Sequence, residues 1–297
     1  MGNTSIQQKK VLIIGLGEIG YNNAEYMTMR GLQVYGFDIN PAAVRRAIDD
    51  QIIVDEAKDF SGFTHYIICI STHAPNNMFT PYQDGIFEIT KRLAEEGSPG
   101  ALVGIDSTIP KGTSRKIAQV LDGKMHVVHV PHRYFGPEKK IHGVSQLRVI
   151  GAVDEASMQA GKEFYGETLG IPLHEVKTIE VAELCKIVEN SYRFLEIAFA
   201  EELKMVCDNA GLDFNELRSA INTKWNTKIM EPRTGIGGHC LPKDSQMFLN
   251  FSKDKFDSSI IETAQFVDHK YRNHLLRQEA AATATPTPAA QLSVNVR

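Results

Sequence analysis

The sequence predicts an α/β protein: a Rossmann-type, doubly wound parallel sheet followed by a helical domain with a long central helix. Three observations predict it. Short β-rich apolar runs alternate with helix-like segments up to residue 177, and the first run ends on a glycine-rich turn. Residues 178–210 then keep a helical spacing of apolar positions with no glycine or proline. The expected domains are 1–177 for a dinucleotide-binding unit, 178–278 for a central helical unit, and 279–297 for a tail.

Residues 11–14, Val-Leu-Ile-Ile, make the first strand and run directly onto Gly15-Leu-Gly17-Glu18-Ile19-Gly20 and a helix-like segment reaching Arg30. A second β-rich run, 33–37, ends on Asp38, roughly twenty residues beyond the glycines, where a carboxylate bonds the ribose hydroxyls of a dinucleotide. Gly15 permits the tight turn, Gly17 lets the main chain approach a pyrophosphate, and Gly20 allows close helix packing. The amides at Glu18 and Ile19 open the helix that receives the phosphate charge. Asp38 repels a 2′-phosphate, so NAD is expected rather than NADP. Arg45 and Arg46 are the nearby candidates for a phosphate, and a solvated helix face is the plainer reading of both.

The alternation continues through a strand at 66–70, a helix at 84–96, a strand at 101–105 and a helix beginning near Gly112. Strands at 127–130, 147–150 and 173–176, with a helix at 155–168, complete the expected sheet. Loops at strand C-termini carry the site in such folds. Ser71 and Thr72 after one strand, and Ser107 and Thr108 after the next, are therefore candidate cofactor contacts, while Thr113 is read as a helix cap. His73 has no assigned role. Arg133 and Tyr134, past the strand at 127–130, are candidate contacts for a ligand's phosphate or sugar, with packing and a solvated charge as the alternatives.

On the long helix Lys186 and Asn190 stand four apart and share a face. Gly211 supplies its stop. The apolar stripe is wide enough to pack on more than one side, as a domain connector or dimer spine does. Cys185 and Cys207 read as core. Residues 235–244, Gly-Ile-Gly-Gly-His-Cys-Leu-Pro-Lys-Asp, place a thiol between glycines and a lysine–aspartate pair. Gly237 and Gly238 let backbone pass close to a substrate, and Lys243 favours the Cys240 thiolate. Asp244 takes a proton or orients the lysine. A surface turn with an incidental cysteine is the competing interpretation.

A formal net charge of −4 and a pI near 6.2 give no polycationic surface, which argues against nucleic acid as main partner. The four cysteines form neither a disulfide ladder nor a metal-binding pair, so a reducing cytoplasm and no metal are expected. The apolar run after Lys10 is too short for a membrane span or a signal segment. The alanine-, threonine- and proline-rich end reads as disordered.

Gly237, Gly238, Cys240, Pro242, Lys243 and Asp244 resemble the nucleophile loop of the UDP-glucose/GDP-mannose dehydrogenase family. Ser107, Thr108 and Pro110 resemble its Ser-Thr-Val-Pro segment, and Glu183-Leu-Cys-Lys186 with Asn190 resembles the helix that presents lysine and asparagine to the reacting carbon. The resemblance implies a four-electron, NAD-dependent oxidation of a sugar's primary alcohol, in which Cys240 carries a thiohemiacetal and then a thioester. Lys186 and Asn190 then stabilise oxyanions, Thr108 faces the reacting water, and Lys243 stands near the cofactor. Two departures stand out. His132 occupies the place of the glutamate that activates water, and an imidazole is an alternative base there. Lys224 replaces the arginine that reaches a neighbouring subunit's substrate, keeping charge and losing the fork. The resemblance also implies a homodimer and a short form without the second nucleotide-type domain. A two-electron 3-hydroxyacid-type dehydrogenase and a non-catalytic NAD-binding partner protein are the alternatives.

Overall fold

The computed structural model describes residues 9–284, apart from 75, 135, 239, 254, 257 and 258. Seven strands form the main sheet: β1 (Lys10–Ile14), β2 (Gln33–Phe37), β3 (His65–Ile68), β6 (Leu102–Ile105), β7 (His126–His129), β8 (Arg148–Ala152) and β9 (Leu173–Glu175). Their spatial order is β2-β1-β3-β6-β7-β8-β9. The first five pair in parallel, whereas β8 runs antiparallel to β7 and β9 is parallel to β8. The sheet is thus parallel as expected over these five strands and reverses at β8, where among the described residues only irregular chain and a single short helical turn, too short for a crossover, join β7 to β8.

Successive side chains of a strand point to opposite faces, and β1 shows the result. Val11 and Ile13 enter one core with Ala24 and Met27, while Leu12 and Ile14 enter the other with Ile86 and Leu93. The first core packs α1 (Glu18–Met29) and α2 (Pro41–Asp49), and the second packs α3 (Asp84–Glu96) and α4 (Thr113–Val120). A sheet covered on both faces is what near-continuous apolar strands require. α2 begins with Asn40 accepting from Ala42 N and with proline at its first position, a start signal present in the sequence.

A one-turn helix α5 (Lys139–His142) follows β7, and α6 (Glu155–Gly161) runs on as a π-helix through Lys162–Thr168. The long helix α7 (Ile179–Ala210) has 32 residues, about 48 Å at 1.5 Å per residue, and ends on Gly211 at φ +70°. α8 (Phe214–Ile221), α9 (Cys240–Ser252) and α10 (Ser259–Ala284) follow. α10 packs on α7 through Phe194, Ala198, Ala264 and Val267. The helix extends to Ala284, past the start of the tail expected at 279, and residues 285–297 lie outside the described residues. Between β3 and α3 a small hairpin, β4 (His73–Ala74) with β5 (Asn77–Pro81), replaces the plain loop expected there and packs against α9. No helix among the described residues is long and apolar enough to cross a membrane.

Candidate active site

β1 is flanked by β2 on one side and β3 on the other, so the chain reverses its direction of winding there, and a crevice opens beyond the strand ends. Gly15 holds φ +92°, and a Cβ on it would stand 2.8 Å from Cys69 O. A Cβ on Gly20 would collide with Gly15 O, so α1 packs directly on its own entry loop. Gly17 has nothing within 4 Å of a built Cβ and faces open space. The cleft beside it encloses about 490 Å³ and is lined by Gly15, Gly17, Asp38, Ile70, Ser71 and His73, among others. Asp38 accepts from Leu16 N at 2.6 Å and Asn40 N at 2.7 Å, one bond to each oxygen, which leaves a lone pair on each for a ribose hydroxyl. Gly17 caps α1 without a side-chain bond, so the amides of Glu18 and Ile19 are open to an anion. Arg46 lies over the Tyr21 ring at 4.3 Å and reaches Leu16 O at 3.3 Å, committed to the fold. The cradle of glycines, open amides and a carboxylate fits NAD.

Hydroxyls expected to face the cofactor are partly taken. Ser107 is buried and donates to Ile70 O at 2.7 Å and Ile68 O at 3.2 Å. Thr72 donates to Thr108 O at 2.6 Å, tying the two loops together. Ser71 is exposed and bonds His73 Nδ1 at 2.5 Å, and Thr108 is half-buried. Thr113 is not a cap. It donates to Pro110 O, and the start of α4 is capped from far away: the buried Glu183 carboxylate of α7 accepts from Gly112 N at 2.5 Å and Ser114 N at 2.7 Å.

Three residues after that cap, α7 presents the pair seen in the sequence. Lys186 Nζ donates to Asn190 Oδ1 at 3.3 Å, and Asn190 Nδ2 donates to Asp244 Oδ2 at 2.5 Å. The other oxygen of Asp244 takes Lys243 Nζ in an ion pair buried almost completely. Lys186, Asn190, Asp244 and Lys243 are therefore one continuous row, built from α7 and the first turn of α9. Cys240 opens α9 instead of sitting in a loop, because Pro242 falls in the first turn, where a missing N–H costs nothing. The residue is exposed while its sulfur is crowded. Burial and the Asp244 carboxylate push the thiol above its ordinary pKa, and Lys243 and Lys186 pull it back only in part. Lys243 favours the thiolate, as expected, but burial and then the Asp244 carboxylate outweigh it.

The approach to Cys240 is pinned to α10. Asp268 accepts from Ile236 N at 2.8 Å and from Arg272 Nε at 2.9 Å, while Arg272 Nη2 donates to Ile236 O at 2.5 Å. Gly235 and Gly238 hold φ +100° and +74°, and a built Cβ on Gly237 meets nothing. Lys224 is exposed in the turns after α8. His239 lies outside the described residues.

His132 departs from the role of base. Its Nδ1 accepts from Tyr134 N at 2.9 Å, so Nε2 carries the proton and donates to Asn23 Oδ1 at 3.0 Å. Burial, with Arg148 and Lys186 nearby, drives its pKa well below the usual value. Both ring nitrogens are committed. Asn23 passes the connection to Asp106, which also receives Arg148 at 2.9 Å and Tyr165 at 2.8 Å. Arg133 forms an ion pair with Glu189 and donates to Leu147 O, and Tyr134 OH bonds Asn22 Oδ1 at 3.1 Å. These two side chains, expected at a ligand, are occupied by the protein. Sequence reasoning missed Asn23, Arg148, Tyr165 and the capping role of Glu183. The one available signal was Arg148, a charge inside an otherwise apolar strand. No cluster of metal-ligating side chains is present among the described residues.

Residues 180–270 match the UDP-glucose/GDP-mannose dehydrogenase family, central domain, and residues 10–131 match the NAD binding domain of 6-phosphogluconate dehydrogenase. The chain is 28% identical to the UDP-N-acetyl-D-mannosamine dehydrogenase of Pyrococcus horikoshii, over 83% of this chain and 65% of that protein. It is 30% identical to the protein of that name from Methanocaldococcus jannaschii, over 86% of this chain and 64% of that one. The chain therefore spans somewhat less than two thirds of these relatives' length. The solved structure of the Pyrococcus horikoshii enzyme superposes with a TM-score of 0.79 at 26% identity, covering 93% of this chain and 73% of that one. A UDP-glucose dehydrogenase from Pyrobaculum islandicum has the same fold, with a TM-score of 0.78 at 21% identity over 95% and 73% of the two chains.

Proposed function

The chain carries the central domain of the UDP-glucose/GDP-mannose dehydrogenase family behind an NAD-binding domain, and from that premise we propose that it oxidises a nucleotide sugar's primary alcohol to a carboxylate through Cys240. The observation that carries this reading is the row Lys186–Asn190–Asp244–Lys243, which joins α7 to the helix headed by the thiol. The names of the relatives make UDP-N-acetyl-D-mannosamine the first substrate to try.

NAD, held by the glycine loop and Asp38, supplies the oxidant for both steps. Cys240 adds its sulfur to the aldehyde carbon after the first oxidation and keeps the sugar bound as a thioester after the second. Lys186 faces the oxygen on that carbon with a positive charge, and the Asn190 amide fixes the ammonium in place. Lys243 and Asp244 anchor the start of α9 so that the sulfur meets the carbon from one direction. Water entering past Thr108 then releases the acid. Along α7, Val181, Val188, Tyr192, Phe199 and Val206 stay exposed at spacings of seven, four, seven and seven residues, an apolar face that supports a homodimer along this helix. A cytoplasmic location follows from the reduced thiol that this chemistry needs.

Stoichiometry tests the reading. Two NADH formed per UDP-N-acetyl-D-mannosamine, with an acid as product, support it, and UDP-glucose, GDP-mannose and sugar phosphates extend the screen. One NADH with an aldehyde or ketone product identifies a two-electron dehydrogenase instead. NAD binding without turnover on any of them leaves the non-catalytic partner protein. Light scattering that finds a monomer at working concentration removes the dimer.

A further inference from the structure

Release of the acid from Cys240 requires a base for the attacking water, and the two candidates that the sequence offers for it are already spent. His132 has both nitrogens committed, to Tyr134 N and to Asn23 Oδ1. Asp244 has one oxygen on Lys243 and the other on Asn190. A carboxylate that already accepts charge-assisted bonds is a poor proton acceptor. Glu18 is different. It is the first residue of α1, it is exposed, and among the described residues no donor stands on its carboxylate. A Cβ built on Gly136 would lie 2.9 Å from Glu18 Oε1, so the carboxylate rests against the segment that leaves β7 and carries His132. The same carboxylate acts on the Cys240 thiol, adding to the upward push on its pKa. Glu18 thus heads the cofactor-side helix, within reach of solvent, and rests on the 132–136 segment whose Arg133 pairs with Glu189 of α7, one residue before Asn190.

We propose that Glu18 is the general base of the acyl-release step, a role that rests on the thioester reading above. A water molecule adds its oxygen to the thioester carbonyl carbon while Glu18 takes one of its protons. The tetrahedral adduct then collapses, the carbon–sulfur bond breaks, and the thiolate of Cys240 leaves with the bonding pair and recovers the proton from Glu18. No electrons are exchanged in this step. The amide of Glu18, at the helix start, stays available to the cofactor's phosphate, so one residue serves two partners through different groups.

The test compares wild type with Glu18→Gln in rapid mixing with NAD and the sugar nucleotide that wild type oxidises. The expected result is a burst of about two NADH per thiol in the variant. Steady-state turnover then falls ~10²-fold or more, the usual worth of a general base. Intact mass should show the sugar acyl group on Cys240. Hydroxylamine, a nucleophile that needs no such base, should restore turnover. Steady-state turnover in the variant within a few-fold of wild type overturns the proposal. A lost burst does the same, because it assigns Glu18 to oxidation or NAD binding. If wild type itself yields one NADH or none with every sugar nucleotide, the thioester reading fails and takes this role with it.

Discussion

The side-chain amide of Asn190 donates to Asp244 Oδ2 at 2.5 Å, and this bond joins the long helix that opens the central helical unit to the helix that begins at the thiol. Its other end, Oδ1, holds Lys186. Position 190 therefore works as a bracket between a cation and an anion, a task an apolar side chain cannot perform.

Asn190→Ala should lower kcat roughly 10²-fold with NAD affinity unchanged, since it frees the Lys186 ammonium from its set position and leaves Asp244 with an unmade bond. Stability should fall by about 1–3 kcal/mol from the buried acceptor alone. Steady-state kinetics beside a cofactor titration decide it. A variant with wild-type kcat would show that the row of polar groups is structural only.

Alkylation of Cys240 across pH gives a signed test of its surroundings. In the ligand-free protein the midpoint should lie above that of an ordinary thiol, because burial and Asp244 outweigh the two lysines. Asp244→Asn removes an opposing charge and should move the midpoint down, with faster labelling at neutral pH. Lys186→Met removes a favouring charge and should move it up. Midpoints that do not respond in these opposite senses would place the sulfur elsewhere.

Two glycines of one loop should fail in different ways. Gly20→Ala meets Gly15 O and should destabilise the fold, seen as a lowered Tm even without ligand. Gly17→Ala meets no protein atom, so Tm should hold while NAD affinity falls, because the new Cβ occupies the space of the pyrophosphate. Equal loss of Tm in both would contradict the open face at Gly17.

Glu201 gives the pH dependence of the fold. It is fully buried on α7 with no N–H or O–H donor among the described residues, and it meets Asp268, which holds the approach to the thiol. Burial, then the Asp268 charge, raises its pKa to about 8, with Arg272 opposing. The folded pKa lies above the unfolded one, so the folded state binds the proton more tightly. That stability is fully present below about pH 4.5 and is lost as pH rises through about 8, with a slope of at most ~1.4 kcal/mol per pH unit. Thermal melts from pH 5 to 9 should show this fall, and Glu201→Gln, which carries no proton to lose, should flatten it. A fall of equal size in the variant assigns it to other groups.

Much of the fold was legible where the signal was local. The Gly15–Gly20 pattern, Asp38 and the i, i+4 pair Lys186 and Asn190 all declare their geometry within a few residues or one helix turn. Cys240 shows the limit. Its glycine-rich approach reads as loop and hides the helix that begins at the thiol, although Pro242 is compatible with a first turn. The hairpin of His73 and Ala74 with 77–81 is too short for periodicity to register. Partners distant in sequence were invisible: nothing near Gly112 predicts Glu183 as its cap, and nothing near His132 predicts Asn23. His132 stands where the resemblance puts a base, and only tertiary packing shows that both of its ring nitrogens are engaged.

Glu183, Lys186 and Asn190 are borne by one unbroken rod, and the first of them grips the loop containing Thr108 through the amide of Gly112. A rod of this stiffness has no joint between those grips. Tilting it to admit a sugar would drag the ammonium and the water-side loop together, so opening and closing of this pocket should be a rocking of whole pieces, with the distance from cation to threonine preserved throughout.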